Sequence, residues 1–248
     1  MKIENKDFWE IENVIYTQDY RATQTSDYEA YLYEKVAQLI AQNGSKIENA
    51  KIFGCGTGRE ILGLMKYFDL KRVLGTDISE NMIKKGKINI NEWNLSDRVT
   101  LQVGDATQFS GQKDSYELVT LMNSVLTYVD KKEDRNKIFN TSNEILKSGG
   151  YIIGSVHNQS GAPLKTIYFF LRRCLKPFLR NEPGNRMTGF KGYDVKGYYF
   201  TKSGLKKHLQ DANFKVVEVL SLNDYYKKQN MKYNKLKGWN NIIFIAKK

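Results

Sequence analysis

Apolar and polar residues along this chain change period in blocks, and the changes locate its elements. From Tyr28 to Gln42 the apolar positions Tyr28, Tyr31, Leu32, Val36, Leu39 and Ile40 fall at steps of three and four before Asn43-Gly44, which predicts a helix with a glycine stop. Short apolar runs follow at Ala50 to Gly54, Arg72 to Thr76, Val99 to Gly104, Glu117 to Asn123 and Gly150 to Val156. Helical patterns at Thr57 to Phe68, Ser79 to Asn91 and Lys131 to Leu146 lie between them. Strands alternating with helices predict an α/β fold with a parallel sheet covered on both faces. The alternation stops after His157 and resumes with a helix at Thr201 to Asp211 and strands at Lys215 to Leu220 and Asn241 to Ala246, which makes seven strands.

The interruption has its own pattern. Between Pro163 and Arg180 the residues Leu164, Ile167, Tyr168, Leu171, Leu175 and Phe178 recur at helical steps, while Lys165, Arg172, Arg173, Lys176 and Arg180 meet no acid in the same stretch. This is a basic amphipathic helix. Residues 158–200 read as a lid over a binding site, as an interfacial membrane contact, or as a solvated helix with an ordinary core face.

Composition bounds the rest. The 248 residues are enough for one domain with a modest insertion and a real core, 41% of them are hydrophobic, and no apolar run approaches the length of a bilayer span. The N-terminal stretch has no apolar signal-peptide region, so a cytoplasmic chain is expected. Two cysteines, Cys55 and Cys174, and two histidines, His157 and His208, assemble neither a disulfide framework nor a metal site. The net charge of +12 is divided unevenly: residues 1–124 carry a net of −3 and residues 125–248 a net of +15. The positive charge therefore belongs to the second half of the chain, and it points to an anionic ligand or to a surface on which that ligand sits.

The candidate chemistry sits where the first strand breaks into Gly54-Cys55-Gly56-Thr57-Gly58. Glycines let a backbone turn tightly and approach a ligand, and the amides opening the next helix face it. The second strand ends in Asp77, nineteen residues beyond Gly58, where doubly wound folds hold ribose hydroxyls. A dinucleotide site would need its third glycine at position 59, which is Arg59. The spacing Gly54-x-Gly56-x-Gly58, then Asp77, then Gly104-Asp105-Ala106 after the third strand, resembles the class I S-adenosylmethionine-dependent methyltransferases over about residues 47 to 157. The family usually carries an acidic residue two places before the first glycine; this chain has Ile52.

The resemblance implies a Rossmann-like doubly wound sheet whose last strand is antiparallel, a helical cap, and S-adenosylmethionine as cofactor. It implies that Asp77 takes both ribose hydroxyls, that Ile78 and Met82 flank the adenine, and that Asp105 and Ala106 read its amine and a ring nitrogen. Asn123, at the mouth of the fourth strand, is a cofactor or acceptor contact or else satisfies buried backbone groups. Tyr16 and Tyr20 lie in the region that closes over the cofactor in this family, and Tyr20 is taken to line the site. His157 could deprotonate a hydroxyl acceptor, or merely cap its strand. The expected activity is methyl transfer to an oxygen or nitrogen of a small anionic metabolite. The alternatives are an RNA methyltransferase using the basic half, with Tyr225, Tyr226, Tyr233 and Trp239 interleaved with lysines, and a cofactor-binding module without catalysis. The acidic or amide residue, two prolines and aromatic that mark nucleic-acid amino methyltransferases do not follow the fourth strand here.

Overall fold

Strands buried on both faces read as continuous apolar runs, and those runs become the sheet. The computed structural model describes residues 1–20, 23–190, 192–233 and 240–248. Two short helices, α1 (Asn5–Trp9) and α2 (Glu12–Asp19), precede α3 (Asp27–Gln42), which opens on a capping box between Ser26 and Glu29. Alternation then gives β1 (Asn49–Phe53), α4 (Arg59–Tyr67), β2 (Arg72–Asp77), α5 (Glu80–Glu92), β3 (Val99–Val103) and β4 (Tyr116–Leu121). A 3-10 turn (Val125–Tyr128) leads to α6 (Lys132–Ile145) and β5 (Leu146–His157). Next come α7 (Pro163–Cys174), a second 3-10 turn (Lys176–Phe178), β6 (Asn185–Phe190) and β7 (Tyr193–Tyr198). The chain closes with α8 (Lys202–Asp211), β8 (Lys215–Ser221), α9 (Leu222–Lys228) and β9 (Asn241–Lys247).

Seven strands pair in the order β3-β2-β1-β4-β5-β9-β8, and β9 alone runs antiparallel, to β5 and to β8. One face of the sheet packs Ala50, Ile52 and Leu118 against Val36, Ile61, Leu64 and Ile83; the other packs Phe53, Val119 and Ile152 against Ile138, Phe139 and Leu205. Burying a side chain such as Leu64 is worth about 1.5 to 3 kcal/mol, and this two-sided packing is what sets the loops at the strand ends. A lysine interrupts the apolar run of β1. Lys51 is fully buried, donates to Thr76 Oγ1 at 2.6 Å, lies over the rings of Phe53 and Phe109, and is held down to about 7 by burial.

The interrupted segment holds more than the expected helix. β6 and β7 form a separate two-stranded hairpin, which periodicity did not suggest because glycines occupy Gly189, Gly192 and Gly197 and only Val195 of β7's apolar positions is deeply buried. The hairpin clasps the N-terminus: the Ile3 amide donates to the Asp194 carbonyl, and Phe8 packs with Val195 and Tyr193. Part of the stretch read as a basic aromatic loop is α9, whose Tyr225 is buried against Tyr31. Trp239, with Lys235 and Lys237, lies outside the described residues.

Candidate functional site

The glycine loop turns because three of its residues adopt left-handed backbone, with φ of +67° at Gly54, +52° at Gly56 and +88° at Gly58. At Gly54 a side chain is also excluded by space, since a Cβ would lie 2.2 Å from Val125 Cγ2. The Gly54 and Cys55 amides both donate to the Thr76 carbonyl, which pins the loop to the end of β2. Asp77 completes the arrangement. One carboxylate oxygen accepts the Gly56 amide at 2.8 Å and the other accepts the Ser79 amide at 3.0 Å. Burial raises the Asp77 carboxyl above its ordinary range, and the Ser79 and Gly56 amides work against that rise.

These elements surround a cavity of about 290 Å³ at the carboxyl ends of β1 to β4. Gly54, Gly56, Asp77, Ile78, Met82, Asp105, Ala106 and Asn123 all line it. Ser79 caps α5 through the Met82 amide and so sets where Met82 stands. The third glycine, Gly58, does not reach the cavity; it forms the turn into α4. Tyr20 does not line it either. In α2, Val14 faces inward and Gln18, one turn on, reaches the cavity, so Tyr16 and Tyr20, two residues from Gln18, point outward and are about 70% exposed, at 68% and 72%.

Three groups were not anticipated. Arg59, beside the glycine motif, donates to Asn123 Oδ1 and forms an ion pair with the buried Glu29, tying α3, α4 and the end of β4 at the cavity wall. Only its position next to the loop hinted at this. Glu60, the next residue, is buried: its carboxyl accepts from Thr120, the register partner of Ile52, and burial holds it up to about 8. The third group is the cover. Asn5, Trp9 and Gln18 close the cavity from the N-terminus opposite Tyr128, Val129, Asp130 and Asp134; the Asn5 amide donates to the Tyr128 carbonyl, and Trp9 and Tyr128 meet edge to face at 5.1 Å. Helices of five and eight residues carry too little periodicity to announce such a role.

His157 stands behind this wall. It does not line the cavity; its ring lies between Tyr128 and Tyr199, at 6.0 and 5.1 Å, and burial pushes it down to about 4, with the Lys165 charge adding to the effect. Among the described residues, none from 158–200 lines the cavity, so the expected lid is not what closes it. The segment acts on the wall from outside: buried Arg135 donates to the Val129 and Asp130 carbonyls, pairs with Glu182 and lies 3.6 Å over the Tyr198 ring. Nor, among the described residues, does the positive charge of the second half reach the cavity. Its charged lining is Arg59 against Asp77, Asp105, Asp130 and Asp134, which does not suit an anionic acceptor. Tyr225 and Tyr226 pack in a tyrosine cluster with Tyr31 and Tyr233, so their faces are not free to stack on bases.

Comparison with known proteins agrees with this geometry. Residues 52–150 match a methyltransferase domain family. The chain is 26% identical over 200 residues to the erythromycin 3''-O-methyltransferase of Saccharopolyspora erythraea, covering 77% of this chain and 59% of that protein. It is 27% identical over 111 residues to a demethylmenaquinone methyltransferase of Lactiplantibacillus plantarum, covering 44% and 45%. The chain thus spans between about half and three fifths of the length of these relatives. Among solved structures, a SAM-dependent methyltransferase of Methanosarcina mazei superposes with a TM-score of 0.65 at 19% identity, over 84% of this chain and 96% of that one. The magnesium protoporphyrin IX methyltransferase of Synechocystis, solved with bound SAH, gives 0.60 at 14% identity, over 98% and 97%. The matched methyltransferase domain thus lies over the strands whose ends carry the glycine loop and Asp77, the residues that converge with Asp105 on one cavity.

Proposed function

We propose that this chain binds S-adenosylmethionine in the cavity above β1 to β4 and moves the methyl group to an oxygen or nitrogen of a small, uncharged or cationic acceptor. The observation that carries the reading is the convergence of the glycine loop, Asp77, Asp105-Ala106 and Asn123 on one space. The residues present fit the cofactor. Thr57 Oγ1 is buried at the cavity with no hydrogen-bond partner among the described residues, and beside it Gly56 leaves open room where a Cβ would meet only Met82 Sδ at 3.9 Å. An orphaned hydroxyl beside an open glycine suits a polar ligand group. In this reading Asp77 holds the ribose hydroxyls, Ile78, Met82 and Ala106 enclose the adenine, Asp105 accepts from its amine, and Thr57, Arg59 and Asn123 face the amino-acid end.

Bound there, the cofactor supplies a methyl group already activated on a sulfonium. The protein's own residues then orient the acceptor and exclude water, work suited to Trp9, Tyr128 and Val129 at the covered end. Asp130 and Asp134 in the same wall can receive the proton that a hydroxyl or amine gives up, and their charge is why an uncharged or cationic acceptor is favoured over the anionic one. The name of the erythromycin relative supports oxygen as the receiving atom. Titration calorimetry tests the assignment. Asp77→Ala should weaken cofactor binding by about 1.5 to 3 kcal/mol, the scale of hydrogen bonds to a charged group, and unchanged affinity would remove Asp77 from the ribose.

A further inference from the structure

Helix α7 is mounted on the protein with its amphipathic faces reversed. Only Phe169 of this helix is buried, against Tyr199. Its polar side faces the body: Arg172 donates to the Pro183 and Glu182 carbonyls and to Asn181, Arg173 to Gln159, and Lys165 lies over the Tyr199 ring. Its apolar side faces out. Leu164, Ile167, Phe170, Leu171, Leu175 and Phe178 are each at least half exposed, and Leu164 and Phe178 reach 84%. Leu164, Ile167, Leu171 and Leu175 follow at steps of three and four and so form one ridge, which Phe178 extends through the 3-10 turn.

A helix face this apolar is not stable against water for its own sake, and a patch of this kind on a folded protein marks a contact surface. The charge around it selects the occupant. From 158 to 180 there are five cations and no acid, and Lys176 and Arg180 are exposed beside the ridge. Two copies meeting ridge to ridge about a twofold axis would bring these cations against one another with no acid from the segment between them. An apolar ridge flanked by Lys and Arg is instead the pattern that sinks into the headgroup and acyl boundary of an anionic bilayer.

We propose that α7 and the turn after it are an interfacial membrane-docking element, with the ridge from Leu164 to Phe178 entering the lipid and Lys176 and Arg180 meeting anionic headgroups. The element needs neither the cofactor nor the cavity, so it stands apart from the catalytic reading.

The test is flotation of the full chain, without cofactor, on vesicles of phosphatidylcholine alone and of phosphatidylcholine mixed with phosphatidylglycerol. Binding is expected on the mixed vesicles and should weaken as salt is raised. Lys176→Gln with Arg180→Gln should lower partitioning roughly 30-fold, from about fivefold for each headgroup-facing cation. Leu171→Gln, Leu175→Gln and Phe178→Gln together should abolish it while leaving the melting temperature near that of the parent, because these side chains touch solvent in the folded chain. No flotation on the mixed vesicles, or flotation undiminished in the triple variant, overturns the proposal. So does concentration-dependent dimerisation that the triple variant loses while lipid binding stays absent, which would assign the ridge to a second copy. Capture by an acidic protein with no lipid binding would equally overturn it.

Discussion

Helices α4 and α7 are equally amphipathic, yet they spend their apolar faces in opposite ways. Helix α4 lays Ile61 and Leu64 into the sheet, as the two-sided packing of a parallel sheet requires, and of its charged residues only Lys66 is exposed. Helix α7 turns its cations inward and its leucines outward. Both are fastened by an arginine: Arg59 to the buried Glu29, Arg172 to the carbonyls at 182 and 183. Periodicity therefore reports that a helix has two faces, and the fastening decides which face the protein keeps. In the cofactor half the fastening and the core pull the same way. In segment 158–200 they are opposed, and the apolar face is left over.

The sharpest way to break this comparison is to cut the two fastenings. Arg59→Ala leaves Glu29 buried without its partner and should cost about 3 to 5 kcal/mol in urea unfolding. Arg172→Ala removes hydrogen bonds to partly exposed carbonyls and should cost about 1 kcal/mol. Equal costs would mean that α7 is as integral as α4. The faces can be tested separately. Leu64→Ala empties a fully buried site and should cost about 2 to 5 kcal/mol, whereas Leu171→Ala should stay within about 0.5 kcal/mol of the parent. A large loss at Leu171 would show that the ridge packs on the chain itself.

What could be read from the chain beforehand was whatever is local. The turn at Gly54 to Gly58 demands left-handed backbone at three of five consecutive residues, and Asp77 and Asp105 each stand at the end of an apolar run, so motif and strand specify their place together. The cover of the cavity is not local. Trp9 meets Tyr128 across more than a hundred positions, and Arg59 reaches Glu29 and Asn123 by contacts 30 and 64 residues apart, which no spacing rule encodes. Tyr20 and His157 were expected at the site because of the segments they occupy; helix phase turns the first outward, and the bulk of Tyr128 stands before the second. The charge asymmetry was real but belonged to a surface, because a sum over half a chain does not say which way its side chains point.

His157 lies where the two regions meet, between the wall residue Tyr128 and Tyr199 of the strand hairpin's edge, and its protonation weighs how tightly they are joined. Its pKa is pushed down to about 4 from an ordinary 6.5, so the unfolded chain takes up a proton first as pH falls. The stability lost this way is nil above about pH 6.5, grows as pH falls toward 4, and levels off below. The drop to about 4 is worth on the order of 3 kcal/mol at most, and partial exposure brings the expected loss at about pH 5 nearer 1 to 2 kcal/mol. His208, also pushed to about 4, adds to the acid loss, while Glu60, held up to about 8, opposes it, since the folded chain keeps that proton as the unfolded chain gives it up. The measurement is therefore a difference. Urea unfolding of the parent and of His157→Phe at about pH 7.5 and about pH 5 should show the variant losing about 1 to 2 kcal/mol less on acidification, with the other groups cancelling. The same variant answers the catalytic question. With the ring behind Tyr128, methyl transfer by His157→Phe should stay near that of the parent, whereas a fall of about 100-fold at unchanged cofactor affinity would return the histidine to the reaction.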